Sequence, residues 1–206
     1  MMALLGQKGN MIQLYDERGM VVPATEVKVG ECVVVGKRTL DRHGYEALQI
    51  GFGTVSKRKS SKPLLGFYKK AGASPARSLR EIKVDKLDDY QVGQKLGVDV
   101  FALGETVRVT GITRGRGFTG GMKRWGWHGG PASHGSMFSR RIGSLGSGTT
   151  PGRPLKGRTG AGHYGVEQVT IRNLSIVKLD REKGVLYVNG AIPGYRGSLV
   201  LIRKRV

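Results

Sequence analysis

Acidic side chains are what this 206-residue chain has least of: 15 Asp and Glu stand against 35 Lys and Arg, a formal net charge of +20. That imbalance far exceeds what solubility needs and is the electrostatic footprint of a polyanion binder. From residue 106 to residue 166 there is no acid at all, and residues 47–80 hold none either. Without a carboxylate to orient a histidine, ordinary general acid–base chemistry has no place in the longer stretch. Cysteine is nearly absent. Cys32 stands alone, which excludes a disulfide within the chain and fits a reducing cytosolic setting. Beside Val33, Val34 and Val35 it reads as a small buried hydrophobe. No apolar run approaches the roughly 20 residues of a membrane span, and no basic helix with an apolar face suggests a membrane surface. The N-terminal residues turn polar after Gly6, unlike a signal peptide.

What is present is glycine, and half of the chain's 34 lie between residues 106 and 166. The same stretch carries both tryptophans, Trp125 and Trp127, and three of the four histidines, His128, His134 and His163. An ordered glycine costs roughly 0.5–1 kcal/mol relative to alanine. Few aliphatics are available here to offset that, so ordering must come from outside the chain. The missing acids say that the external partner is polyanionic.

Around this stretch the pattern is β. Strands are expected at residues 11–15, 21–29, 32–39 and 45–52, separated by polar turns at residues 16–19 and 41–44. His43 reads as a solvated turn residue. Such short strands at 8–12-residue spacing indicate a barrel or sandwich. Ser74 and Pro75 suggest a helix start, with the helix running to about Ile82 or Val84. The acids Glu81, Asp85, Asp88 and Asp89 suggest a solvated linker. Strands are expected again at residues 98–101, 106–113, 166–179, 185–188 and 199–202, with a hairpin turn at residues 181–184. The basic tail Arg203-Lys204-Arg205 is either a phosphate contact or a frayed end.

Two motifs resemble catalytic or nucleotide sites and fail on context. Gly115-Arg116-Gly117-Phe118-Thr119-Gly120 matches G-x-G-x-x-G, but the glycine-rich residues after it promise no stable helix, and no acid follows until Glu167. Gly120-Gly121-Met122-Lys123 lacks the ending of a phosphate-binding Walker loop. The three histidines are spaced too widely, and among cations, to hold a metal. The stretch instead suits close contact with folded RNA. Arginine forks onto phosphates, glycines let the backbone approach, and Phe118, Phe138, Tyr164 and the two tryptophans offer stacking platforms. The aromatics could equally anchor onto the protein.

The order of motifs is similar to one family. Phe101, Thr110-Gly111-Ile112-Thr113-Arg114-Gly115-Arg116-Gly117, Gly120 and Met122-Lys123-Arg124-Trp125 open the series. Gly129-Gly130-Pro131-Ala132-Ser133-His134-Gly135-Ser136, Gly143-Ser144-Leu145-Gly146, Thr150-Pro151-Gly152-Arg153 and Ala161-Gly162-His163-Tyr164-Gly165 continue it. Lys62-Pro63-Leu64, Lys70-Ala71-Gly72 and Leu79-Arg80-Glu81 add a smaller insertion. Over essentially its whole length the chain resembles the bacterial form of the large-subunit ribosomal protein L-three family.

The resemblance implies a mainly β protein with a small α+β insertion, a translation-protein-type six-stranded barrel body and a long irregular glycine-rich basic extension. The expected segments are 1–55 (first part of the barrel), 56–97 (basic insertion with a short helix), 98–117 (barrel strands), 118–165 (extension) and 166–206 (closing strands). The implied partners are 23S rRNA and neighbouring large-subunit proteins, in the cytoplasm. No cofactor, small-molecule substrate or membrane is implied. Candidate rRNA contacts in the insertion are Lys57, Arg58, Lys59, Lys62, Lys69 and Lys70. In the longer stretch they are Arg114, Arg116, Lys123, Arg124, Trp125, Trp127, His128, His134, Arg140, Arg141, Arg153, Lys156, Arg158 and His163. The extension's tip, near the peptidyl transferase centre in the family, maps to Ser144, Leu145, Gly146, Ser147, Thr150, Pro151, Gly152 and Arg153. Three positions depart from the family pattern. Arg108 replaces an expected acid, Ile142 an expected proline, and Ser147 a glutamine that some relatives methylate. A nucleic-acid-modifying enzyme would need a titratable pocket that the acid-free stretch does not supply. A free-standing RNA chaperone or nucleoid protein would fit the charge without needing this motif order.

Overall fold

Buried Ala3, Leu4 and Leu5 start the first strand well before Met11. The polar residues after them read as loop in the sequence, yet Gln7 and Lys8 pair across the sheet, and a bulge lies between Lys8 and Met11. The computed structural model describes residues 2–30, 32–84 and 86–205. The chain divides into two units, Met1–Thr113 with Gln168–Val206, and Arg114–Glu167.

β1 (Ala3–Tyr15) turns into β2 (Val21–Lys28) where Asp16 Oδ1 accepts from the amides of Arg18 and Met20 at 3.0 and 2.8 Å, with Gly19 at φ 74°. β3 (Cys32–Arg38), the single helical turn α1 (Leu40–His43) and β4 (Ala47–Thr54) follow. Next come α2 (Lys62–Lys70), β5 (Ala76–Ile82) and the short β6 (Lys95–Leu96). β7 (Thr106–Ile112) precedes the second unit, which holds β8 (Gly117–Thr119), α3 (Gly121–Trp125) and β9 (Gly162–Tyr164). The first unit resumes with β10 (Gln168–Asp180), β11 (Val185–Asn189) and β12 (Leu199–Lys204).

Six strands close a barrel in the order β1-β12-β7-β10-β11-β2, as the β patterning and the resemblance imply. Every neighbouring pair is antiparallel. Period two sets the faces: Val107, Val109 and Gly111 are buried, while Arg108 and Thr110 are not. A four-stranded sheet, β5-β4-β3-β6, belongs to the same unit. One core joins the two sheets, with Leu4, Val27, Val109, Ile176, Leu186 and Ile202 meeting Val34, Leu48, Ile50 and Ile82. Each fully buried side chain of this kind contributes about 1.5–3 kcal/mol, so this cluster holds the body. Cys32 lies within it, its thiol donating to Leu5 O at 3.3 Å. Burial pushes the thiol up to about 11, which leaves it an inert hydrophobe at neutral pH.

The helix expected from Ser74 is absent. Residues 76–82 form β5 instead, paired to β4 through Leu48↔Ile82, Ile50↔Arg80 and Phe52↔Ser78. The spacing of Ala76, Leu79 and Ile82 imitates a helix face, but pairing with an apolar strand outweighs local preference. The insertion's helix lies earlier, at α2, with Pro63 in its first turn and Tyr68 packed beside Val35 and Ala71. Glu81 ties β5 in place by accepting from Tyr45 Oη at 2.7 Å, Arg38 Nε at 3.0 Å and Gln49 Nε2 at 3.0 Å. The Tyr45 bond, then the Arg38 bond, holds the Glu81 carboxyl below its ordinary value.

Residues 98–101 are not a strand either. Val98–Val100 is a 3-10 turn that buries Val98. The expected linker is partly packed, since Val84 and Leu87 are buried, and Asp85 lies outside the described residues. The glycine-rich residues after Gly120 do hold one helical turn, α3, which Gly126 ends at φ 70°. His43 is exposed at the end of α1, its Nδ1 accepting from the Thr39 amide at 3.4 Å.

Candidate nucleic-acid interface

The Arg114–Glu167 unit has almost no core. Only Thr119, Gly121 and Gly165 are buried among its residues. Its large apolar side chains point outward instead: Phe118 is 82% exposed, Met137 81% and Leu155 67%. Fixing one residue's backbone costs about 1–2 kcal/mol, and this unit buries no large apolar side chain to offset it.

What local order exists comes from short-range polar contacts. At the base, β8 pairs with β9 through Gly117↔Tyr164, Phe118↔His163 and Thr119↔Gly162. The Arg116 amide donates to Tyr164 O at 2.9 Å, and its guanidinium lies 5.0 Å from the Tyr164 ring centroid. Gly165, at φ 82°, runs against the Arg114 carbonyl where a Cβ would collide. Arg124 and Trp125 both reach the Gly160 carbonyl, Nη1 at 3.2 Å and Nε1 at 2.8 Å. The Trp127 ring occupies the space where a Cβ on Gly121 would stand. Further out, the Gly130 amide donates to Phe138 O at 2.9 Å, and Arg158 Nη2 donates to Ser144 O.

The candidate residues fall into two groups. Lys57, Arg58 and Lys59 sit on a 3-10 turn, and Lys62, Lys69 and Lys70 on α2; all six are exposed and belong to the barrel's unit. The remaining fourteen belong to the second unit, where all but half-buried Arg124 and Trp127 are exposed. His128 and Arg141 flank a groove of about 380 Å³ that Trp127 and Phe138 also line. Ser144, Leu145, Gly146, Ser147, Thr150, Pro151, Gly152 and Arg153 lie in a run, residues 137–159, that is exposed throughout. The Thr150–Pro151 bond is cis. Gly115 to Gly120 forms no phosphate cradle: Gly117–Thr119 is β8, and α3 behind it is a single turn.

Not every cation is free for a partner. Lys8 Nζ donates to Ile192 O at 2.6 Å and Gly194 O at 2.8 Å, and burial lowers its pKa. Spacing alone missed a further set on the barrel. Arg108, Arg172 and Arg203 share one outer surface, visible only once strand pairing is known. Among the described residues no group of three His, Cys, Asp or Glu gathers to hold a metal, and no helix is long and apolar enough to cross a membrane.

Fold and surface together define a basic barrel protein with a second, cation-rich unit that has almost no core of its own. The chain belongs to the ribosomal protein L3 family, whose model matches residues 49–185. It is 48% identical over 203 residues to the large ribosomal subunit protein uL3 of Carboxydothermus hydrogenoformans, covering 98% of this chain and 97% of the relative. The uL3 of Thermotoga maritima is 49% identical over 203 residues, with 98% and 97% covered. That of Fervidobacterium nodosum is 46% identical over 204 residues, with 98% of each chain covered. The family is one of ribosomal structural proteins, not enzymes.

Proposed function

We propose that this chain is a structural constituent of the large ribosomal subunit that binds 23S rRNA, beside neighbouring subunit proteins, in the cytoplasm. The observation that carries this is the second unit: acid-free from residue 114 to residue 166, rich in exposed cations, and without a core of its own. Its arginines and lysines displace counterions from phosphates, and its exposed aromatics stack on unpaired bases. Residues 118–165 act as the extension inside the RNA, and Ser144 to Arg153 approach the peptidyl transferase centre. The six cations around α2 add a second contact. A segment with no core gains its order from RNA packed around it, so it has to be in place before that RNA closes. That timing makes the chain an early participant in subunit assembly.

Binding of the full chain to a 23S rRNA fragment tests this. The logarithm of affinity should fall linearly with the logarithm of salt, by about 0.7–0.9 for each phosphate neutralised. A flat response between low and moderate salt would refute the electrostatic mechanism.

A further inference from the structure

We propose that the outer face of the barrel carries its own phosphate-backbone site, formed by Arg108, Arg203 and Arg172 across three neighbouring strands. The site deepens the RNA-binding reading and rests on it.

Arg108 on β7 and Arg203 on β12 are direct partners in the antiparallel ladder. Partners of this kind project to the same face with Cβ atoms about 5 Å apart. Val107, Val109 and Ile202 beside them are fully buried, so both arginine side chains leave from the outer face, where each is half-buried. On the other flank of β7, β10 bulges between Ile171 and Leu174, which pair with Val109 and Val107. Arg172 and Asn173 therefore lie opposite Arg108. Asn173 takes φ 58°, and its Oδ1 accepts from Arg205 Nη1 at 3.0 Å, which brings a fourth guanidinium to the group.

The carboxylates nearby are engaged elsewhere. Glu105 pairs with Lys204 at 3.1 Å and accepts from the Ala102 amide at 2.9 Å. Asp180, at the end of β10, pairs with Lys183 at 3.8 Å. Among the described residues, the guanidinium groups of Arg108, Arg172 and Arg203 make no hydrogen bond or ion pair, and Arg203 Nε is buried without a partner. Like charges directly opposite destabilise a sheet. A bridging anion turns that repulsion into a two-sided contact, and guanidinium forks match phosphate oxygens well. The Thr110 and Thr170 hydroxyls, 2.8 Å apart on the same face, add neutral donors. A protein partner would need apolar anchors at the centre of the patch. The apolar residues of the face, half-buried Leu199 and Leu201 and exposed Ile112, lie to one side of the Arg108–Arg203 pair and not at its centre, so the backbone of an RNA strand fits better.

The test titrates salt for the full chain and for Arg108→Gln/Arg203→Gln, using a 23S rRNA fragment and an unrelated RNA duplex. The double variant should lower the salt slope by about 1–2 on both RNAs, because phosphate contacts carry no sequence information. Arg108→Glu, which creates a pair with Arg203, should raise the melting temperature of the free protein while weakening RNA binding. A purely structural role would move both in the same direction. A wild-type slope that the double variant leaves intact overturns the site alone. A wild-type slope near zero overturns the RNA reading and the site with it. An unchanged RNA slope with lost binding to polyglutamate would assign the arginines to an acidic protein and also overturn the proposal.

Discussion

Gly121 shows what one missing side chain does where there is hardly any core. Trp127 lies across it, and a Cβ there would overlap the ring. Gly121→Ala should displace the indole at a local cost of about 1–3 kcal/mol. Both tryptophans of the chain, Trp125 and Trp127, sit in this unit, so their fluorescence reports on it alone. The expected result is a red-shifted emission with the unfolding midpoint of the β body unchanged. An unshifted spectrum would mean that the ring has no fixed seat on α3. Cys32 is the opposite residue-scale case. Its neighbours Val33, Val34 and Val35 announced a buried hydrophobe in the sequence, and the raised thiol agrees.

Among the elements, those with strict period-two alternation were legible and those set by distant pairing were not. β7 and β10 lie where Val and Ile alternate with polar residues, and β11 and β12 are short apolar runs set off by turn residues. The start of β1 was hidden by its polar middle, which only the neighbouring strands β12 and β2 turn into a strand. The helix placed after Ser74 failed for the same reason: β4 supplies a pairing edge that no local rule contains. The exposed cations of the second unit were visible from composition, whereas the arginine row on the barrel needed the register of β7 against β12. The β8–β9 ladder suggests a clean excision. Thr119 and Gly162 are partners, so replacing residues 120–161 with Asn-Gly makes a two-residue hairpin. Shortening the loop lowers its entropic closure cost by about 2–3 kcal/mol. The remaining barrel should therefore unfold cooperatively, at or above the full chain's melting temperature. Loss of the cooperative transition would show that the body depends on the excised residues.

For the whole molecule, the net charge of +20 is a cost in isolation, since like charges repel in the compact state. It becomes favourable when a polyanion supplies the counter-charge. The barrel is stabilised by its own core; the second unit, with Phe118, Met137 and Leu155 facing outward, is not. On the proposed reading, this second unit passes inside the rRNA of the large subunit. The most direct test of that reading is sedimentation of the tagged full chain and of the 120–161 replacement, expressed in cells and washed in high salt. The full chain should stay with the large subunit, because RNA closed around the extension blocks its escape even when surface contacts are screened. The replacement variant, held only at the surface, should wash off. Release of the full chain under the same wash, or equal retention of both forms, would show that rRNA does not enclose the extension.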